Sequence, residues 1–136
     1  MSTYDTTYDP PAPVLDVTVT SVVNRRRRRS LRALLDTGSD ITAIPHSLME
    51  RLQLYPIGRL QLEDVEATTR MVLTYAVQLT IGDLSIPRLE VILTGLDFAV
   101  IGRDVLNRLY LLLNGPELDF HLETTPFLSP KDPNVD

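Results

Sequence analysis

Between Met71 and Ile81 the chain sets Leu73, Tyr75, Val77, Leu79 and Ile81 at every second position and then stops at Gly82-Asp83. A period of two places those side chains on one side of an extended strand, and Gly-Asp is a hairpin turn signal. Shorter stretches follow the same grammar. Val14 to Val23 alternates in part, Leu31 to Leu35 reads as its hairpin partner, and Ile86 to Leu93 and Phe98 to Ile101 are further strands. Leu111 to Leu113 and Leu118 to Leu122 flank Asn114-Gly115-Pro116, a strong turn. Helical spacing is confined to two short places, His46 to Leu54 behind Pro45 and Val105 to Leu109 behind Gly102. Many short strands with regular turns predict an all-β body, small, closed and barrel-like, with a short helix near its C-terminal end.

With 136 residues, 43% hydrophobic and 23% charged, the chain suits one globular domain. Residues 1–13 and 123–136 are polar and Pro-bearing and read as flexible tails, leaving a domain over 14–122. The net charge of −5 gives no general reason to expect nucleic acid or a membrane surface as a partner. The absence of cysteine excludes disulfides, thiolate metal sites and a thiol nucleophile. His46 and His121 lack partners at ligand spacing, so no metal or other cofactor is expected. No apolar run approaches the ~20 residues of a membrane-spanning helix, and no signal segment is visible. The expected location is cytoplasmic. The initial Met1 and the tail-like ends favour a stand-alone protein over an excised polyprotein segment. The five arginines Arg25 to Arg29 are open to reading as a nucleic-acid patch or a processing site, but in a net acidic chain and between two strands they are expected to be a solvated hairpin tip.

One local pattern carries chemistry. Leu34-Leu35 runs into Asp36-Thr37-Gly38-Ser39-Asp40, followed by Thr42 and Ala43. An apolar strand delivers a carboxylate into a tight turn, which is costly unless the turn supplies hydrogen bonds. Gly38 lets another segment approach closely, and Thr37 and Ser39 add hydroxyls. Asp-Thr-Gly alone describes any Asx-type turn leaving a strand. A second element narrows the choice: Ala99-Val100-Ile101 ends at Gly102, and Arg103-Asp104 opens a short helix.

In these two segments, in this order and at this separation, the sequence resembles the retropepsin-like family, the retroviral and related bacterial aspartic proteases. Within that family the resemblance implies a bacterial single-domain member, and 136 residues leave no room for a two-lobed arrangement. The resemblance extends loosely over residues 14–122 and implies the retropepsin fold. It also implies peptide-bond hydrolysis by two aspartates set side by side across a two-fold axis, with a water held between them. Two carboxylates at that distance share a proton, so one serves as general base while the other polarises the carbonyl. Mildly acidic pH is expected to favour the reaction.

This chain has one such loop. Asp40 lies too close in sequence to be the mate of Asp36, and Leu93-Thr94-Gly95 carries leucine where the acid should stand. The second aspartate is therefore expected from a second copy, in an isologous homodimer. The resemblance gives Thr37 a hydrogen bond across the dyad and Gly38 a backbone contact to peptide substrate. Ser39 and Asp40 fall beside the substrate, Arg103 pairs with Asp40 as a buried or half-buried brace, and Leu34 and Val100 are candidate subsite walls. The family's substrate-covering hairpin, or flap, falls near Leu60 to Met71, a stretch with no glycine and three acids (Glu63, Asp64 and Glu66). It is expected to be stiffer than, or shaped differently from, a glycine-rich flap. The competing expectation is a dimerising or peptide-binding module of the same fold without useful turnover.

Overall fold

The computed structural model describes residues 1–128. The strands and helices, in chain order, are β1 (Ser2–Thr3), β2 (Val14–Ser21), β3 (Arg28–Leu35), β4 (Ala43–Pro45), α1 (Ser47–Arg51), β5 (Pro56–Glu63), β6 (Thr69–Ile81), β7 (Leu84–Thr94), β8 (Ala99–Ile101), α2 (Arg103–Leu106), β9 (Tyr110–Asn114) and β10 (Asp119–Glu123).

Alternation builds the barrel. Val17, Val19, Val77, Leu79, Val91 and Ile101 are all buried in one cluster, each contributed by the inward-facing parity of its strand. The strands run β2-β3-β8-β4-β7-β6, and β2 pairs again with β6 from Thr18↔Thr80 to Ser21↔Val77, which closes six strands into a ring. Strand β5 pairs with β6 alone and extends from the ring as a hairpin. Helices α1 and α2 cap the interior with Leu48, Val105 and Leu106. The all-β closed-barrel expectation is thus met.

Two features of the wiring were not readable from periodicity. Strand β4 is only three residues long, and it joins β7 in parallel and β8 in antiparallel. Strand β3 joins β8 in parallel at Ala33↔Ala99, Leu34↔Val100 and Leu35↔Ile101. The strand expected from Leu31 begins earlier, at Arg28, since Arg28 and Arg29 pair with Thr20 and Val19. Long arginine stems tolerate a strand ladder when their heads reach water.

Residues 1–13, expected as a tail, are tied to the body at several points. Strand β1 pairs with β10, Tyr4 lies on the fully buried Phe120 with ring centroids 6.0 Å apart, and Tyr8 meets Phe98 edge-on at 5.4 Å. Aromatic burial supplies the apolar contact that composition concealed. At the other end Glu123 closes β10, and the expected tail beyond residue 128 lies outside the described residues.

Candidate active site

The Asp36 loop is an extension of the β3–β8 ladder. The Asp36 N–H donates to the Ile101 carbonyl at 2.9 Å, one step past the last strand pair. The chain then turns, with the Ser39 N–H donating to the Asp36 carbonyl at 3.2 Å. The Asp36 carboxylate accepts the Gly38 N–H through Oδ1 at 2.9 Å. A Cβ on Gly38 would sit 3.2 Å from that oxygen, so a larger residue crowds the carboxylate. Asp36 is half-buried, whereas Thr37 and Gly38 are exposed at the crest of the loop.

A second loop braces the first from below. Gly102 lies so close that an added Cβ would stand 2.9 Å from both the Ser39 oxygen and the Ile41 carbonyl carbon. Its backbone is extended, so close approach rather than a special dihedral requires glycine here. The Arg103 N–H donates to the Ser39 carbonyl at 2.8 Å. The Arg103 guanidinium reaches the Thr37 carbonyl at 2.5 Å and forms an ion pair with Asp40. The pairing expected of Arg103 is present, but it is not buried. In the single chain the Asp40 side chain is 85% exposed and that of Arg103 44%. Such a pair contributes about 0–1 kcal/mol and acts chiefly by holding the Thr37 carbonyl in place.

The buried brace is elsewhere. Thr42 is fully buried, and its hydroxyl donates to Asp104 Oδ1 at 2.8 Å while accepting the Gly102 N–H at 3.1 Å. The Thr42 N–H donates to the other carboxylate oxygen of Asp104 at 3.0 Å, and the Val105 N–H adds 2.9 Å to Oδ1. Both carboxylate oxygens are therefore satisfied, and the outgoing limb of the Asp36 loop is locked to the start of α2. Thr42 and Asp104 belong to the two motif segments but show no function by sequence alone. The available signal was an acid opening a helix directly behind the Gly102 turn.

Leu34 and Val100 are paired neighbours, half-buried on the outer face of the sheet while Leu35 and Ile101 fill the core. Asp36 has the same parity as Leu34. Ser39 turns inward, donating its hydroxyl to the Ile41 carbonyl at 2.9 Å. Two cavities, about 370 Å³ beside Tyr8 and about 100 Å³ beside Gly82, do not include Asp36.

The β5–β6 hairpin occupies the flap region. Its tip is closed by Asp64, whose carboxylate accepts the N–H groups of Glu66 and Thr68 at 2.9 Å each, and Ala67 adopts φ +62°. Val65 stands fully exposed at the crest.

Residues 21–108 match the family model described as "gag-polyprotein putative aspartyl protease", a segment that contains both braced loops. The chain belongs to this retropepsin-like family of aspartyl proteases. Solved structures agree with the fold of a retropepsin-like chain. A retropepsin-like aspartic protease from Rickettsia conorii superposes with a TM-score of 0.55 at 13% identity, covering 84% of this chain and 83% of that one. The EIAV protease complexed with the inhibitor HBY-793 gives 0.51 at 20% identity, covering 71% and 86%. The simian foamy virus protease gives 0.53 at 16% identity over 70% and 92%. In the foamy viral protease-reverse transcriptase the likeness covers 71% of this chain and 12% of the viral one. A search of curated proteins found no match. Among the described residues no helix is long and apolar enough to cross a membrane.

Proposed function

We propose that the chain is an aspartic endopeptidase whose active site forms when two copies bring their Asp36 side chains together. The observation that carries this reading is the braced Asp36 loop itself. A half-buried carboxylate is oriented by the Gly38 N–H, on a loop fixed to a second loop by the Thr42–Asp104 network. Among the described residues no second carboxylate pairs with Asp36, and the crest formed by Thr37 and Gly38 is exposed. A loop so rigidly held and so openly presented suits contact with its own copy across a two-fold axis.

In that dimer one Asp36 takes a proton from the bound water, which attacks the peptide carbonyl. The other, protonated, donates to the carbonyl oxygen, and the tetrahedral intermediate collapses as a proton passes to the leaving amine. Thr37 bonds across to the partner loop, and Gly38, Ser39 and Asp40 line the substrate path. Leu34 and Val100 form apolar walls, which favours peptides with apolar residues around the cut. Strand β9 supports association of two copies: it is an edge strand without charge or proline, and it exposes Tyr110, Leu112 and Leu113.

The test is peptide-library cleavage by the wild-type chain and by Asp36→Asn. Wild-type turnover that falls at least about a thousandfold in the variant is the expected result. Full cleavage by the variant would remove Asp36 from the mechanism. Wild-type binding of a statine-type mimic without cleavage would favour a peptide-binding module instead.

A further inference from the structure

The sequence places five arginines at the β2–β3 hairpin, Arg25 to Arg27 in the turn and Arg28 and Arg29 opening β3, and the proposed catalytic reading does not use them. The turn is rigid. The Ser21 N–H donates to the Arg27 carbonyl at 2.8 Å and the Arg27 N–H to the Asn24 carbonyl at 2.9 Å. The Ser21 hydroxyl oxygen accepts the N–H groups of Val23 and Asn24 at 3.3 and 3.2 Å, and the Asn24 side chain accepts the Arg26 N–H at 3.1 Å. The Arg27 guanidinium folds back onto the Gln53 side chain. Arg25, Arg26, Arg28 and Arg29 are exposed.

Their charges are not spent within the chain. Among the described residues, Arg32 and Arg103 take carboxylate partners, whereas no ion pair joins any of Arg25 to Arg29 to an acid. This holds although the sequence carries 18 Asp and Glu against 13 Lys and Arg. Five neighbouring cations repel one another, a cost offset when a dense anion lies against them. Arg28 and Arg29, as successive residues of a strand, project to opposite faces of the barrel wall at its rim, where β2 is held by β6 as well, and Arg25 and Arg26 lie in the turn beyond it.

We propose that this hairpin is a docking site for the phosphate backbone of double-stranded nucleic acid. A guanidinium fork matches phosphate oxygens in bidentate fashion. A turn that carries cations past the rim of the barrel suits a groove walled by two phosphate rows. A planar lipid surface engages one face only, and the tip offers two valines, Val22 and Val23, but no interfacial aromatic. The absence of an aromatic at the tip also removes base stacking, so the contact is to the backbone and independent of sequence. The acidic remainder of the chain confines contact to the hairpin.

The experiment titrates the full chain into a fluorescein-labelled 20-base-pair duplex, as RNA and as DNA, and follows anisotropy from 50 to 200 mM NaCl. Four phosphate contacts predict roughly a hundredfold weakening over that range. R25Q/R26Q/R28Q/R29Q, which keeps Arg27 on Gln53, is expected to abolish saturable binding at 50 mM salt with its melting temperature retained. The corresponding four-lysine variant is expected to keep the salt slope. Hydrogen exchange on the wild-type chain supplies a readout free of mutation, with duplex-induced protection expected at residues 22–29. Undiminished binding by the glutamine variant, protection mapping elsewhere, or equal saturation by poly-glutamate would overturn the proposal. So would binding to phosphatidylserine vesicles with none to either duplex.

Discussion

Deleting the Thr42 hydroxyl would strand the Gly102 N–H and leave Asp104 Oδ1 with the Val105 N–H alone, in the seam below Asp36. Thr42→Val is close in volume but is expected to cost about 1–3 kcal/mol, because the buried Gly102 N–H left unpaired keeps its desolvation penalty. The loop above should lose its fixed register, so turnover is predicted to fall more steeply than melting temperature. Thr42→Ser, which keeps the hydroxyl, should recover both. Chemical denaturation paired with peptide hydrolysis measures the two effects, and equal turnover by valine and serine variants would show that the seam does not position Asp36. The residues of the motif were legible because an acid and a glycine at the exit of an apolar strand have few ordinary explanations. Thr42 and Asp104 were not, because a buried threonine and a helix-opening acid are common wherever chains fold. What distinguishes them is that they meet across 62 residues, a property of the closed structure alone.

At the scale of elements, the tip of the β5–β6 hairpin dispenses with glycine by two substitutes, the Asp64 cap and the positive φ of Ala67. A β-carbon in that conformation is strained, so Ala67→Gly is expected to stabilise the hairpin by about 0.5–1 kcal/mol if its added chain entropy is small. Asp64→Ala should release the tip, seen as faster hydrogen exchange at Glu66 and Thr68 while the barrel is unchanged. The N-terminal hook has its own trigger. Hydrogen bonds from Thr7, and secondarily Arg32, hold the Asp5 carboxyl below its ordinary value of 3.8. A depressed folded-state value means the contribution is present above the unfolded pKa and lost as pH falls through the folded one. Exchange at the amides of residues 4–7 should therefore rise below about pH 3.8. Strand alternation made β6, β7 and β10 readable from sequence. Strand β4 was hidden because three residues cannot show a period, and the parallel β3–β8 contact because pairing between distant strands leaves no local trace.

For the molecule as a whole, the proposal of an active site shared between two copies predicts that a defective copy is contagious. When wild-type chain is mixed one to one with Asp36→Asn and allowed to exchange, about one quarter of the dimers hold two intact copies. Peptide hydrolysis is expected to fall to about that fraction of the same total concentration of wild-type chain, and retention of half would mean that each copy works alone. The ladder joining β3 to β8 has a further consequence, in the order of events during synthesis. Thr37 is translated 66 residues before Arg103, the side chain that grips its carbonyl. Until Arg103 and Asp104 have left the ribosome, the loop bearing Asp36 has neither brace. Long-range closure of this kind comes late in folding. The Asp36 loop is consequently unbraced while the strands before β8 are made, and its final geometry coincides with completion of the barrel.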